Sequence, residues 1–459
     1  MRIKTEIQPC FFLTVLNDQK IVKQYHDKYN KIADLLNTNP LILNLVHSDL
    51  KNYGSVWGRK SSFTTEQVLR MLIVKTIEML SFRDLIIRVS ESDFLRNFTM
   101  IGMGKMMSFG FVNGAFKHIR EETWEEINGH LAIFAKNEGL ISSECLRIDS
   151  TVCESNIRYP TDWGLLWDSY RVLSRMMRKA TTCDRTLDCG FRFHDKKVKK
   201  LCTFISTSGS RKNRSVKRKV KKNLRVLVER VENVTSKAHQ FIANATVVGS
   251  NSTEALVVIE ELKQILPLVQ NVSQQARKAQ IEGKKVPASE RVFSIFEEHT
   301  ELLKRGKVNK PVEFGHMVNI GQTKEKFITY YSVEENSRHD TVHKDLVLED
   351  HKELFGYYPK VFAADKNYYV SMDDVNEWEE EIETFGVAKK GRRNADEINR
   401  EHSDEFRSAQ KFRAGAEGSI SVLKRAFGLR RCINKGFSSF AATVGCIVFC
   451  HNIVQLAGS

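Results

Sequence analysis

Between Gln410 and Lys424 the chain reads QKFRAGAEGSISVLK, and this stretch places Arg413, Glu417 and Lys424 on one helical face. At about 100° per residue, offsets of four and eleven residues from Arg413 rotate to roughly 40° and 20°. One carboxylate is therefore flanked by two cations, an arrangement suited to holding a metal beside a phosphate. Two aspartates give that glutamate company. Asp149 ends an apolar stretch in CLRIDSTV, and Asp365 ends another in PKVFAADKNYY. Each reads as a carboxylate at or near the C-terminal end of a buried strand. Two such strands side by side would bring the carboxylates within a few ångströms, and a Glu from a covering helix would complete an oxygen cage. Mg²⁺ takes hard oxygen ligands and keeps several waters, so a few carboxylates plus substrate phosphates suffice. Paired ions about 3.5–4 Å apart would activate an attacking oxygen and steady the leaving one during phosphoryl transfer.

The elements that must position these residues are legible in the pattern of apolar residues. Residues 62–135 hold helical segments, the first capped by Thr64 or Thr65 and burying Val68, Leu69, Leu72, Ile73 and Ile77. Two more are expected at Phe82–Val89 and Asn113–Asn137. After Asp149 comes no second strand but a long helical texture over residues 164–304, read as an insertion. Strand-like alternation resumes at Lys310–Gly321 and Lys326–Glu334, followed by a helix over Asp340–Phe355 and the strand carrying Asp365. That order is the order of an α/β, RNase H-like mixed sheet interrupted after its first strand. Asp149, Asp365 and Glu417 would then come from the first strand, the fourth strand and a late helix. The 52 residues from Asp365 to Glu417 leave room for a strand and two helices.

The charge balance points to a polyanionic partner. The 459 residues carry 71 Lys+Arg against 56 Asp+Glu, a formal charge of +15, and cations that neutralise phosphates release condensed counterions. The densest basic run places Arg211, Lys212, Arg214, Lys217, Arg218, Lys219, Lys221 and Lys222 inside twelve positions. Val216, Val220, Leu224 and Leu227 recur at helical spacing through it, so the cations belong to a structured helix suited to phosphate-backbone contact. No aromatic residues interleave with them, which argues against base stacking. The basic helix also lacks the large apolar face of a membrane-surface helix. No apolar run is read as reaching the roughly 18–20 residues of a spanning helix, and the amino end lacks a signal peptide's long apolar core. Nine cysteines without a CxxC pair read as reduced thiols rather than a disulfide or zinc framework.

Arg413, Glu417 and Lys424 form the run R-x3-E-x6-K, which resembles the signature around the last carboxylate of the DDE insertion-sequence transposases. The blocks LRIDSTVCESNIRYPTDWGLLWDSYRVLSR, KPVEFGHMV, FAADKNYY and RAGAEGSISVLKRAFGLRR resemble the ISNCY-type group of these enzymes, related to those with the Y-x2-R-x3-E-x6-K signature. The likeness runs in order across nearly the whole chain, with Gln410 standing where the broader signature has Tyr. It implies catalytic and metal-binding roles for Asp149, Asp365 and Glu417, with two Mg²⁺ ions for which Mn²⁺ can substitute. It implies DNA contacts by Arg413 and Lys424. It further implies a helical DNA-end-binding domain over 1–138, a catalytic domain split between 139–163 and 305–459, and a basic helical insertion over 164–304. The partners would be double-stranded DNA, as transposon terminal repeats and target, and a second copy of the chain on that DNA. The setting would be the nucleoid of a prokaryotic cytoplasm.

Two other readings stay open on the residues: a nuclease or resolvase on the same scaffold, and an inactive DNA-binding descendant of a transposase. Several further residues can be assigned readings. Asn156, Tyr159, Pro160 and Asp162 read either as contacts to the cleaved strand or as a turn with a helix cap. His316 reads as a core histidine in a strand, His339 and Asp340 as a cap, and Lys366 and Tyr368 as residues placed to touch phosphate.

Overall fold

The computed structural model describes Lys4 and residues 19–53, 62–304 and 310–458. The amino-terminal stretch weighed against a signal peptide, and Cys10 within it, lie outside the described residues. The chain divides into two compact units, one formed by residues 1–155 and 315–459 and the other by residues 156–314.

The first unit is α/β. Its long strand β1 (Cys145–Ser155) belongs to a mixed sheet. A short strand β2 (Glu301–Leu303) falls in the chain of the second unit. It is followed by β3 (Glu313–Gln322), β4 (Ile328–Val333), β5 (Val361–Ala363), β6 (Thr384–Gly386) and the two-residue β7 (Arg431–Cys432). β1 pairs antiparallel with β3 along its length, from Arg147 opposite Gln322 to Glu154 opposite Gly315. β3 pairs antiparallel with β4. On its other edge β1 runs parallel to β5 from Cys145 to Arg147, and β5 runs parallel to β6. β7 takes the same role beside Glu154 and Ser155. Between Arg147 and Glu154 that edge of β1 therefore has no strand beside it among the described residues.

Helices between Lys20 and Asn137 precede the sheet. Thr64 caps the helix Thr65–Ile77 in a capping box with Gln67, burying Val68, Leu69, Leu72 and Ile73 while Ile77 stays partly exposed. A turn of four residues, in which Met79 takes a positive φ of 50°, leads into the helix Phe82–Ser90. The single helix expected over Asn113–Asn137 is two, Phe109–His118 and Glu121–Asn137, broken at Ile119 and Arg120. These helices share one hydrophobic core with β4 and the carboxy-terminal helix Phe437–Ala457.

That last helix corrects one sequence expectation. This helix of 21 residues contains an 18-residue window with a mean hydropathy of 1.7, long and apolar enough to cross a membrane by composition, but 83% of that window is buried inside the protein. Gly445 explains the close fit: a Cβ there would stand 2.6 Å from the Trp124 Cβ and 2.5 Å from the Tyr331 hydroxyl. Its apolarity is spent on protein neighbours, including the helices Glu121–Asn137 and Thr65–Ile77.

The second unit is a helical bundle with its own core. The helices Asp162–Cys183, Asp195–Ser208, Arg214–Val248 and Thr253–Ala276 pack together around Leu166, Leu173, Leu227, Val231 and Leu262. Asp162 is buried in this unit, where it accepts from Arg291 and Gln280, each at 2.7 Å. It is a structural anchor, and the cap of its helix is Thr161.

Candidate active site

The register of two strands places the two aspartates. Arg147 of β1 stands opposite Ala363 of β5, and Asp149 and Asp365 lie two residues beyond that pair on chains running the same way. Parallel neighbours sit about 4.8 Å apart, so the carboxylates emerge beside each other where β5 has ended. Asp149 is not at the end of its strand, as its apolar flank implied; β1 continues to Ser155. What ends there is the neighbour. That break in the sheet leaves Asp149 only partly buried, with Oδ1 accepting from the Ser150 amide at 2.8 Å.

The helix Asp404–Ala426 lies over this opening. Ser403 caps it, Asp404 and Glu405 occupy its first turn and Lys424 and Arg425 its last, each charge favourable to the helix dipole. Its seat on the sheet depends on Arg147, which shares a strand face with Asp149 because side chains alternate along a strand. The buried guanidinium donates to Gln322 Oε1 at 3.1 Å through Nε, to the Phe412 carbonyl at 2.7 Å and to Ser419 Oγ at 3.3 Å, and it stacks on the Phe412 ring. Glycine at 415 makes room: a Cβ there would stand 2.4 Å from Arg147 Nη1. Gly386 of β6 does the same beneath Ala409, whose Cβ would lie 2.7 Å from an added one. Gln410 donates to the Gly386 carbonyl at 2.6 Å and to that of Ala364, the residue before Asp365, at 3.4 Å. In this chain the residue standing in the signature's Tyr position ties the helix to the strand ends.

So seated, the helix points Arg413 between the aspartates. Its Nη2 stands 3.8 Å from Asp149 Oδ2 and 3.6 Å from Asp365 Oδ2, and its buried Nε has no hydrogen-bond partner. Both separations exceed hydrogen-bond length, so the guanidinium is a loosely held counter-charge shared by two carboxylates. Glu417 lies one helical turn further on, roughly 6 Å along the axis, and is exposed. Among the described residues no three His, Cys, Asp or Glu side chains gather closely enough to hold a metal ion. The structure thus joins Asp149 and Asp365 through Arg413 and leaves Glu417 outside that group. Lys424 is some 16 Å beyond Arg413 along the helix, near enough to Cys153 further up β1 for its charge to act on that thiol, and does not flank the aspartates. Two carboxylates are hard donors of the kind a divalent ion takes; in this arrangement the positive charge between them is that of Arg413.

The remaining expectations fall out individually. Tyr368 is buried in the core with Phe362 and Val375 rather than placed to touch phosphate, whereas Lys366 is exposed. His316 is fully buried between Phe437 and Phe440. His339, not Asp340, is the cap of the helix Asp340–Phe355. Asn156, Tyr159 and Pro160 line a cavity of about 280 Å³ with Trp167 and Phe296 in the second unit. The eight described cysteines are all free thiols. Arg211, Lys212, Arg214, Lys217, Arg218, Lys219, Lys221 and Lys222 are all exposed, from Arg214 onward on the helix Arg214–Val248. Sequence reasoning missed Arg147, although a lone Arg inside the apolar run CLRID was a usable signal. In comparisons with known proteins, no family model, no curated protein and no solved structure matches this chain.

Proposed function

We propose that this protein is a DDE-type DNA transposase, cutting transposon ends and joining their 3′-hydroxyls to target DNA by metal-dependent phosphoryl transfer. The observation that carries the reading is the pairing of Asp149 with Asp365 around Arg413, on a helix bearing the R-x3-E-x6-K run. The strand order β4-β3-β1-β5-β6, with β3 antiparallel to β1 and the helical unit entering after β1, supports an RNase H-like sheet.

Asp149 and Asp365 would hold a divalent ion between them, and Glu417 would join them by a turn of its side chain or a small shift of its helix. Mg²⁺ bound there, as one or two ions, supplies a lowered water pKa and Lewis-acid stabilisation of the phosphoryl oxygens. Arg413 is only loosely held by the aspartates, so it is free to turn to a scissile phosphate and to balance the charge that develops on it. Lys424 meets the same strand some phosphates away. Away from the chemistry, the helix Thr65–Ile77, its four-residue turn and the helix Phe82–Ser90 have the spacing of a helix-turn-helix and would read the transposon end. The cations from Arg211 to Lys222 would hold flanking backbone. Joining two ends calls for at least two copies of the chain on the DNA.

The test is Mg²⁺-dependent cleavage and joining of DNA carrying the natural flanks of the coding region, with Asp149→Ala, Asp365→Ala and Glu417→Ala beside wild type. Wild type is expected to nick at a defined end and join it to target, while the three variants bind but yield no product. Cutting without joining would assign a nuclease instead. Binding without cutting by wild type, across metals and salt, would overturn the enzymatic reading in favour of a DNA-binding role.

A further inference from the structure

Several arginines of the second unit are tied down. Arg158, Arg171, Arg178, Arg277 and Arg291 are each held by a carboxylate. By contrast Arg214, Lys217, Arg218, Lys219, Lys221 and Lys222, on the first turns of the helix Arg214–Val248, are exposed, and among the described residues no carboxylate pairs with them. From Arg214 to Asn223 no residue of this helix is fully buried; burial begins at Leu224. Its first ten residues are therefore a charged rod roughly 15 Å long, rooted in the bundle by Leu224, Leu227 and Val228 at its base. At about 100° per residue the six cations spread over roughly 200° of the circumference, and Val216, Val220 and Leu224 occupy the rest. The preceding helix Asp195–Ser208 packs against this one and adds exposed Lys196, Lys197, Lys199 and Lys200.

We propose that this rod is a duplex-docking element that seats in the major groove and contacts phosphates on both of its walls. Cations confined to one narrow stripe would suit a helix lying across one strand. Cations over more than half the circumference instead meet phosphates on either side, and a helix about 10–12 Å across matches a groove about 12 Å wide. No large apolar side chain between residues 160 and 246 is among the exposed ones, so nothing here inserts into lipid or stacks on unpaired bases. The contacts are to phosphate and sequence-independent. This inference rests on the DNA-contact part of the proposed function, adding the groove and the mode of docking, and does not require the cleavage chemistry.

The test compares full-length wild type with the Lys217→Gln, Arg218→Gln, Lys221→Gln, Lys222→Gln quadruple variant, by anisotropy of a labelled mixed-sequence duplex. Neutralising four phosphate contacts is expected to weaken binding about 100-fold near 0.15 M salt and to flatten the slope of log affinity against log salt by about 3–4. On a duplex whose major groove is filled by glucosylated hydroxymethylcytosine, the wild-type to variant ratio should fall close to one. Netropsin in the minor groove should leave that ratio unchanged. A ratio near one on ordinary duplex overturns the proposal, as does a ratio that persists on the glucosylated duplex or competition by phosphatidylserine vesicles at equal phosphate. Circular dichroism of the variant, which alters only exposed positions, separates lost contact from lost fold. A wild type that never cleaves would leave this result standing, and a cleaving enzyme with a ratio of one would fail this inference alone.

Discussion

Two aspartates on adjacent strands repel each other, and the chain answers with Arg413 from the helix above. The geometry rests on a second arginine that does no chemistry. Arg147 spends its donors on Gln322, Phe412 and Ser419, so it fixes the height and rotation of the helix that carries Arg413 and Glu417. Hydrogen bonds from a buried charged group are worth about 1.5–3 kcal/mol each when broken. Arg147→Met is therefore expected to lower the unfolding free energy of the first unit by about 2–4 kcal/mol in urea titration; a loss under about 1 kcal/mol would show that the network does not hold the helix. Gly415→Ala is gentler and more local. Its Cβ would meet the Arg147 guanidinium at 2.4 Å, forcing helix or guanidinium to move by several tenths of an ångström. The expected result is at least a tenfold fall in cleavage with a melting temperature within a few degrees of wild type, whereas Ala at Gly418, where nothing lies within 4 Å, should leave both near wild type.

Among the elements, the helix Asp340–Phe355 shows how burial couples fold to pH. It packs on the sheet through Val347 and Leu348 and buries His351 against Phe355 and Tyr357. Burial pushes the His351 imidazole down to about 4 from its ordinary 6.5, and burial holds His451 of the last helix near 4 as well. Each binds a proton more readily when unfolded. Their contribution to stability is complete above about pH 6.5 and is lost as pH falls towards 4, by about 3 kcal/mol for a shift of this size. Asp350 opposes them: burial raises its carboxyl to about 6, so its contribution is complete below about pH 3.8 and is lost as pH rises through 6. His351→Leu should remove a large part of the acid-side loss between pH 6.5 and 4 in denaturant titrations at several pH values. An unchanged slope there would mean that His351 is not held neutral.

On the scale of the whole chain, two hydrophobic cores are built from different stretches. One joins the amino-terminal helices to the last helix and β4, with a smaller cluster beneath β1 and β5. The other lies wholly within residues 165–295. Separate cores predict departures from two-state unfolding. Leu227 is fully buried in the second core, so Leu227→Ala should lower the transition reported by Trp163 and Trp167 by about 2–5 kcal/mol. The transition reported by Trp124 and Trp378 should stay in place; a joint shift would show that the two cores unfold as one.

What the sequence by itself determined was local. Apolar periodicity and caps set the helix at Thr65, the helix Asp340–Phe355 and the strands β3 and β4, because these depend on residues a few positions apart. The same periodicity ran Phe109–His118 and Glu121–Asn137 together, since no Gly or Pro marks the break at Ile119 and Arg120, and Ile119 itself continues the apolar pattern. Position just beyond Asp365 offered Tyr368 as a phosphate contact, whereas that side chain completes a core. Carboxylates at 149 and 365 could be singled out from their flanks, yet their meeting depends on the register of β1 with β5 and on where β5 stops. Pairing between strands more than 200 residues apart leaves no local trace, and only the tertiary structure decided it. The same holds for Arg147, whose role needs Gln322 from β3 and Phe412 from a late helix, and for the helix Phe437–Ala457. Composition alone makes that helix equally fit for lipid or for a core, and the neighbours that close over Gly445 make it a core.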